Sequence, residues 1–443
     1  MDIHESQKQK LLEKMYHFIN SDILSADYNS NLKFLMSNVN SNINSELIEL
    51  EKQILEKSNS IEYSDNYRQK ILKSKMPFEN KIIAYKRLEV MESFESTDTS
   101  EYAKYKSWMD ILLSIPYNKI VGDTFSTDLD SSKRIVKNVR EVLDRRLSFL
   151  ERAKDQIINI VTQTSRNPNF TVNAIGLYGP KGTGKTNLVK SISEALGRPY
   201  RTISLGGESD SSLLTGHGFT YVGSCPGRII EILRETKCTN PIILFDELDK
   251  VSETHHGKEI IGNLIHMTDS STNNKYNYDK YFSGLEFDLS KVLFVFTYND
   301  ESKVDPILAD RLFKIRVDNY SIKEKLEITQ THLIKSILDQ YCFTNDDIQF
   351  DENAINYIVE SSKTDQGMRD IKRKFEIIVS RANTLMLTDP EQDIVRLQYK
   401  SLYKDFNNTS RPVKILREHV DTLLLDSISN NTLQSDPPFG MYI

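Results

Sequence analysis

The 443-residue chain lacks most of the features that would tie it to an oxidising compartment, a bilayer or a polyanion. Its three cysteines, Cys225, Cys238 and Cys342, lie far apart, with no Cys-x-x-Cys pair and no Cys/His ligand pattern. They read as core or surface thiols of a reducing compartment, not as a disulfide framework or a metal site. No run approaches the roughly 18 apolar residues of a membrane-spanning helix. The opening MDIHESQKQKLLEKMY carries acids early and no apolar centre, so neither a secretory signal nor a transit peptide is supported and a cytoplasmic protein is expected. A basic surplus is missing as well: 57 Lys+Arg face 63 Asp+Glu, a formal net charge of −6. No global field draws such a chain to nucleic acid or anionic lipid, although a local basic patch stays open. There is no internal repeat and no low-complexity tract.

What is present is a globular composition, 38% hydrophobic and 27% charged, in a chain long enough for several domains. Residues 1–118 read as a helical region. Ile43, Leu47, Leu50 and Ile54 recur at spacings of four, three and four, Ile61 returns one heptad later, and Lys57 interrupts the seam. This coiled-coil-like stripe fits an amphipathic helix packed on its neighbour or a projecting arm that touches partners. SWMDILLSIP at 107–116 is a dense apolar cluster ending at Pro116, the pattern of a helix docked on the next domain and stopped by the proline.

From about residue 173 the pattern changes. Apolar runs AIGLY, YRTISL, PIILFD, KVLFVFT and FKIRV alternate with the helical stretches NLVKSISEAL and GRIIEILRET. That alternation predicts a parallel sheet with crossover helices on both faces, over 119–318. Residues 321–341, 351–361 and 366–388 read as helices of a small domain, 319–390. The remainder, 391–443, offers one short strand (VKIL), one helix (EHVDTLLLDSI) and a polar tail.

Chemistry enters at GPKGTGKT, residues 179–186, which fits G-x-x-x-x-G-K-[ST] between an apolar strand and a helical pattern. Gly179, Gly182 and Gly184 let the loop through Pro180, Lys181 and Thr183 wrap a phosphate, every backbone N–H except the one Pro180 lacks turned inward, at a helix N-terminus that favours anions. Lys185 is placed to reach the β- and γ-phosphates of ATP, and Thr186 to ligate Mg²⁺. Binding alone needs no more than this; hydrolysis needs an acid at the metal and a group that orients water. PIILFDELD delivers Asp246 and Glu247 at a strand's C-terminal edge, Asp246 for the Mg²⁺ shell and Glu247 for the attacking water. Asp249 reads as structural or capping. Asn299, at the tip of KVLFVFT, fits a hydrogen bond to that water or an ordinary turn. Spacing by itself leaves Arg311 and Arg369 as surface charges.

Taken together these segments resemble the AAA+ ATPases, and within them the Lon protease family. The stretch RTISLGGESD…GHGFTYVGSCPGRII (201–230) resembles Lon between P-loop and Walker B acids. FDLSKVLFVFTYN is similar to its sensor-1 strand, DRLFKIRV to its arginine-finger segment, DQGMRDIKRKFE to its sensor-2 helix, and KSWMDILLSIPYNK and LERAKDQI to the approach to its nucleotide pocket. The likeness runs over roughly 60–425. It implies an α/β AAA+ P-loop NTPase with a parallel sheet, a small C-terminal helical domain and an N-terminal helical region. It also implies Asn299 as sensor 1, Arg311 as a finger reaching a neighbouring subunit, Arg369 as sensor 2, and Tyr221-Val222 with Gly223 as a pore loop. By its residues alone Tyr221 is equally an ordinary buried tyrosine.

The sequence departs from the family in places. No GPSAG-like nucleophile segment of a serine-lysine peptidase occurs in these residues, and 1–118 shows little of the period-2 patterning of the family's β-rich N-terminal domain. GGESDSSLLTGHGFTY holds no arginine where Lon-like sequences hold several, and HHGKEIIGNLIHMTDSSTNN lacks their acidic-proline pattern. His255-His256 reads as a loop pair, not as metal ligands, because adjacent side chains diverge. The expectation is a homo-hexameric ATP-driven ring that unfolds, translocates or remodels unfolded or misfolded protein without cutting it. A nucleotide-gated scaffold of little turnover and a motor feeding a separate peptidase are the alternatives; a nucleic-acid remodeller is disfavoured by the acidic balance.

Overall fold

Five short runs become five strands: the three central ones are continuous and buried on both faces, whereas the two edge runs bury only Ile203 and Ile315. They are β1 (Ala174–Tyr178), β2 (Tyr200–Ser204), β3 (Ile242–Asp246), β4 (Leu293–Tyr298) and β5 (Phe313–Arg316). In the computed structural model all neighbours pair in parallel, in the order β2-β3-β4-β1-β5. The structure describes residues 67–94, 98–122, 129–166, 172–208, 210–221, 223–362, 367–388, 402–406 and 411–432. It divides into a unit of residues 1–70 and one of 71–443. Of the first, only 67–70, which open the helix Tyr67–Lys73, are described, so the Ile43–Ile61 stripe lies outside the described residues.

Alternation along each strand assigns the two faces. Ile242 and Leu244 of β3, with Leu293 and Val295 of β4, join one cluster with Ile135, Leu143, Ile157, Leu188 and Ile192. Those partners come from the helices Leu129–Arg146, Glu151–Arg166 and Lys185–Ala195. The intervening Ile243, Phe245, Phe294 and Phe296 are wholly buried on the other face, the rings of Phe245 and Phe296 stacked at 5.0 Å. Residues on either side of the sheet are thus dry, and its C-terminal edge is left as the accessible margin.

The helices Phe78–Phe94 and Thr99–Ser114 lie before the sheet. Asp98 caps the second, accepting from the backbone N–H of Ser100 and Glu101 at 2.9 and 3.1 Å. Trp108 is completely buried and its indole N–H donates to the Tyr281 carbonyl at 3.1 Å, while Ile115 is extended ahead of Pro116. Asn80 completes the dock with two bonds to the Glu286 backbone, donating at 2.6 Å and accepting at 3.1 Å.

Beyond the sheet the helices Ile322–Ile328, Ile334–Gln340, Glu352–Ser361, Arg369–Leu387 and Arg417–Thr432 build a second core around Ile337, Ile358, Phe375, Ile378, Val420 and Leu423. Two features differ from the sequence reading. The single helix expected over 321–341 is interrupted by a π turn at Thr329–Leu333. The short strand Val413–Ile415 (β7) pairs in parallel with Ile348–Phe350 (β6), so its strand and the helix that follows share this core. No described helix is long and apolar enough to cross a membrane.

Two stability tests follow from this packing. Phe375 is fully buried and meets Phe350 edge-on at 4.9 Å, so Phe375→Ala should cost about 3–5 kcal/mol, read as an earlier urea transition. Asp279 is buried, a placement that pushes its carboxyl up to about 6 despite hydrogen bonds from the Phe282, Gly227 and Tyr281 backbone. The folded chain therefore holds this proton to higher pH than the unfolded one, and the contribution, complete below the ordinary value of 3.8, is lost as pH rises through 6. Asp279→Asn should flatten the fall in stability between about pH 4 and 6 in denaturant titrations.

Candidate functional site

The tips of β3, β4 and β1 are neighbours in the sheet, and their segments meet at a cavity of 750 Å³. The loop after β1 supplies Lys181, Gly182, Thr183, Gly184, Lys185 and Thr186 to its wall. Gly179 opens that loop at φ 148°, where a Cβ would stand 2.2 Å from the Val317 carbonyl oxygen; no side chain is tolerated there. Thr183, completely buried, donates from its hydroxyl to the Pro180 carbonyl at 3.0 Å. The loop is also tied to the second core: the Tyr320 hydroxyl donates to the Thr183 carbonyl at 3.1 Å and the Met368 N–H to the Gly182 carbonyl at 3.0 Å.

Lys185 opens the helix Lys185–Ala195 and folds back. Its ammonium donates to the carbonyls of Gly179 and Pro180, both at 2.7 Å, and to the Asn299 side-chain oxygen at 2.9 Å. An ammonium has three hydrogens, and each here has an oxygen. Burial holds this group below the usual lysine value, with Asp246 and Asp249 pulling the other way. Asn299 at the tip of β4 is thereby joined to the phosphate loop by its side chain.

Asp246 ends β3. One of its oxygens accepts from the Thr297 hydroxyl and from the Glu247 N–H, the latter at 3.1 Å. Glu247 sits at φ 60°, ψ 46°, a left-handed conformation that costs a non-glycine residue about 1–3 kcal/mol. The turn is held by the Asp246 bond and by the Lys250 N–H, which donates to the Glu247 carbonyl at 3.0 Å. It swings the Glu247 carboxylate towards Gly206, where a Cβ would lie 2.2 Å from one carboxylate oxygen; the other pairs with the Lys250 ammonium at 3.0 Å. Asp249 accepts from the Asp300 N–H at 3.3 Å through one oxygen, and its other is buried with no hydrogen-bond partner among the described residues.

These donors suit a nucleotide carrying a hard cation. Thr186 and Asp246 both line the cavity and offer oxygen ligands, the kind Mg²⁺ takes alongside phosphate and water, and the orphaned Asp249 oxygen lacks a donor or cation of that kind. Arg369 begins the helix Arg369–Leu387 and lines the cavity beside the phosphate loop, its Cβ 3.2 Å from the position a Cβ on Gly182 would take. The structure thus brings Lys185, Thr186, Asp246, Glu247, Asn299 and Arg369 to one cavity.

The remaining expected residues lie elsewhere. Arg311 ends the helix Pro306–Arg311 outside the cavity wall and pairs with Asp269 at 2.6 Å. Ser271 and Arg311 together hold that carboxyl well below the usual carboxylate range. Tyr221 projects from a loop and is 70% exposed, which removes the buried-tyrosine alternative; Gly223 follows at φ 79°, and Val222 lies outside the described residues. His255 and His256 are not in a loop as expected. They open the helix His255–Thr268, capped by Thr254, and both imidazoles approach Glu259, at 3.3 and 3.9 Å.

Several cavity residues escaped the sequence reading. Thr297 sits inside an apolar run, and Tyr320, Ile328 and His332 reach the wall only through the tertiary fold. The adjacent glycines of SLGGESD were a signal, since Gly206 makes the room that Glu247 occupies.

Residues 175–319 match the family model described as the ATPase family associated with various cellular activities. A Lon protease homolog of Acanthamoeba polyphaga mimivirus is 37% identical over 292 residues, 66% of this chain and 28% of that protein. The Lon protease of Clostridium acetobutylicum is 35% identical over 74% of this chain and 41% of its own length. A peroxisomal Lon protease homolog 2 of Caenorhabditis elegans is 30% identical over 78% of this chain and 42% of its own. The chain thus spans less than half the length of these relatives. With the parallel sheet and phosphate loop described above, these matches show that the chain belongs to the Lon family, of which its residues form the AAA+ region.

Proposed function

We propose that the protein hydrolyses ATP with Mg²⁺ and uses the energy to unfold, translocate or remodel protein substrates as a homo-hexameric ring. The observation that carries this reading is the convergence of Lys185, Asp246, Glu247, Asn299 and Arg369 on one cavity, with Arg311 outside it and Tyr221 exposed. Bound Mg²⁺ would supply Lewis-acid neutralisation of phosphate charge, held by Thr186 and Asp246. Lys185 exchanges its carbonyl and Asn299 partners for phosphate oxygens, and the freed Asn299 amide turns to the attacking water. Glu247 leaves Lys250 to orient that water and take its proton. Arg369 reaches the nucleotide from the small domain of the same subunit. Arg311 is the trans residue, and its removal from Asp269 accompanies assembly.

Tyr221, with Val222 and Gly223, is the proposed contact with an unfolded polypeptide. The relatives named as proteases suggest that the polypeptide meets a peptidase; we place any such cleavage in residues outside these 443, on this chain or another. Well-spaced thiols and the absence of a basic surplus fit a cytoplasmic setting. One observation favours a second reading, a nucleotide-gated scaffold with little turnover: the Glu247–Lys250 pair occupies the base.

Glu247→Gln should keep ATP affinity within about twofold and lower turnover by about 10²-fold or more, measured by nucleotide titration and phosphate release. Wild-type protein that assembles on ATP yet releases negligible phosphate selects the scaffold. A trans Arg311 makes the specific rate rise with protein concentration. It also makes a mixture of inactive Lys185→Ala and Arg311→Ala regain activity, because some interfaces then pair two intact halves. A concentration-independent rate with no recovery on mixing removes Arg311 from catalysis.

A further inference from the structure

Arg87, on the helix Phe78–Phe94, is a half-buried cation for which the described residues provide no carboxylate. Its guanidinium lies against aromatic rings instead, 4.3 Å from the centroid of Trp108 and 4.9 Å from that of Phe219. One terminal nitrogen is buried with no hydrogen-bond partner among the described residues. Burial lowers the affinity of the group for its proton, with Tyr105 and Tyr281 opposing that effect. A guanidinium accepts this environment because it is flat, weakly hydrated and attracted to ring faces. An apolar side chain would fill the volume at lower desolvation, so charge balance is not what the position supplies.

What it supplies is a junction. Trp108 belongs to the helix Thr99–Ser114, whereas Phe219 stands two residues before Tyr221. Phe219 is further enclosed by Tyr105 at 5.0 Å and Tyr281 at 5.8 Å. From the same helix, Lys104 sits 5.0 Å over the Phe219 ring and donates to the Thr220 carbonyl at 3.3 Å. Phe219 in turn anchors its own loop: the Ser224 hydroxyl donates to its carbonyl at 3.4 Å, and the Tyr221 N–H donates to Gly218 at 3.1 Å. The exposed Tyr221 therefore projects from a base gripped by two helices that precede the sheet.

We propose that Arg87 is a positioning residue for Tyr221: by binding Phe219 and Trp108 together it makes the loop's hold on a polypeptide depend on the N-terminal helix pair. This rests on the reading of Tyr221 as a substrate contact. The dependence is mechanical. Displacing the helix Phe78–Phe94 withdraws the guanidinium, frees Phe219 and loosens the loop, with no residue of the nucleotide cavity touched.

The test uses the full chain, whose single tryptophan is one wall of the contact. Arg87→Met keeps length without charge or plane, and retained affinity for a fluorescent ATP analogue checks that the variant folds. Arg87→Met should speed chymotryptic cleavage at Phe219 and Tyr221 about tenfold and raise acrylamide quenching of Trp108 about twofold. It should also raise the KM for unfolded casein as stimulator of ATP hydrolysis about fivefold, with kcat little changed, and Arg87→Lys should fall between. Cleavage and quenching equal to wild type overturn the proposal, as does a loosened loop with an unaltered KM. Tyr221→Ala separates the two readings: if casein stimulation survives that change, the contact role of Tyr221 fails, while the hold of Arg87 on the loop is judged by cleavage and quenching. Should Arg87→Met not bind nucleotide, Phe219→Leu removes the ring from the other side and carries the same expectations for cleavage at Tyr221, for Trp108 quenching and for the KM.

Discussion

A half-buried ammonium is best held by an oxygen for each of its hydrogens, and Lys185 finds them by stitching the loop after β1 to the tip of β4. The rest of the site is arranged around that demand. The carbonyls of Gly179 and Pro180 turn inward, which accompanies the φ of 148° that only glycine adopts freely at Gly179. Asn299 is drawn to the same point from a neighbouring strand. A phosphate arriving at the cavity would offer Lys185 anionic acceptors in place of two carbonyls and an amide, adding the attraction of opposite charges to bonds whose donor is already charged. It would compete with the protein's own oxygens, that of Asn299 among them, for one cation.

Parallel pairing brings these partners together. Because β3, β4 and β1 lie side by side and run the same way, an acid, an amide and a phosphate loop that are remote in sequence end at one edge. The second core adds a further constraint through Met368 N–H on Gly182 and the Tyr320 hydroxyl on Thr183. A change in the shape of the loop would thus rearrange bonds with two bodies of the fold.

How much of this was visible in the residues alone depended on how local the cause is. The central strands β1, β3 and β4 were legible because strands buried on both faces read as continuous apolar runs, and the edge strands β2 and β5 from their place in the strand–helix alternation. The phosphate loop was legible because its glycines, lysine and threonine act within eight consecutive positions. β6 was not: Ile348–Phe350 is three residues with an exposed centre, and only its pairing with β7 makes it a strand. The π turn at Thr329–Leu333 was hidden because a change from i+4 to i+5 bonding leaves no mark in apolar spacing, yet it carries His332 and Leu333 to the cavity wall. Thr297 on Asp246 and Arg87 on Phe219 were equally hidden, being contacts between segments that meet only after the chain has folded. His255-His256 went astray for a different reason: the Thr254 cap starts a helix there, and helical spacing aims both imidazoles at Glu259.

The β6–β7 pairing has a bearing on how the protein can be divided. β7 is the ladder partner of β6, and Val420 and Leu423, beyond it, close the core over Ile358 and Phe375. A chain severed near residue 390 would keep every residue of the phosphate site but leave β6 a bare margin of amides and carbonyls above an uncovered apolar floor. Open margins of that kind recruit foreign strands. A chain so divided would be prone to clumping through its small domain, whatever its phosphate loop does.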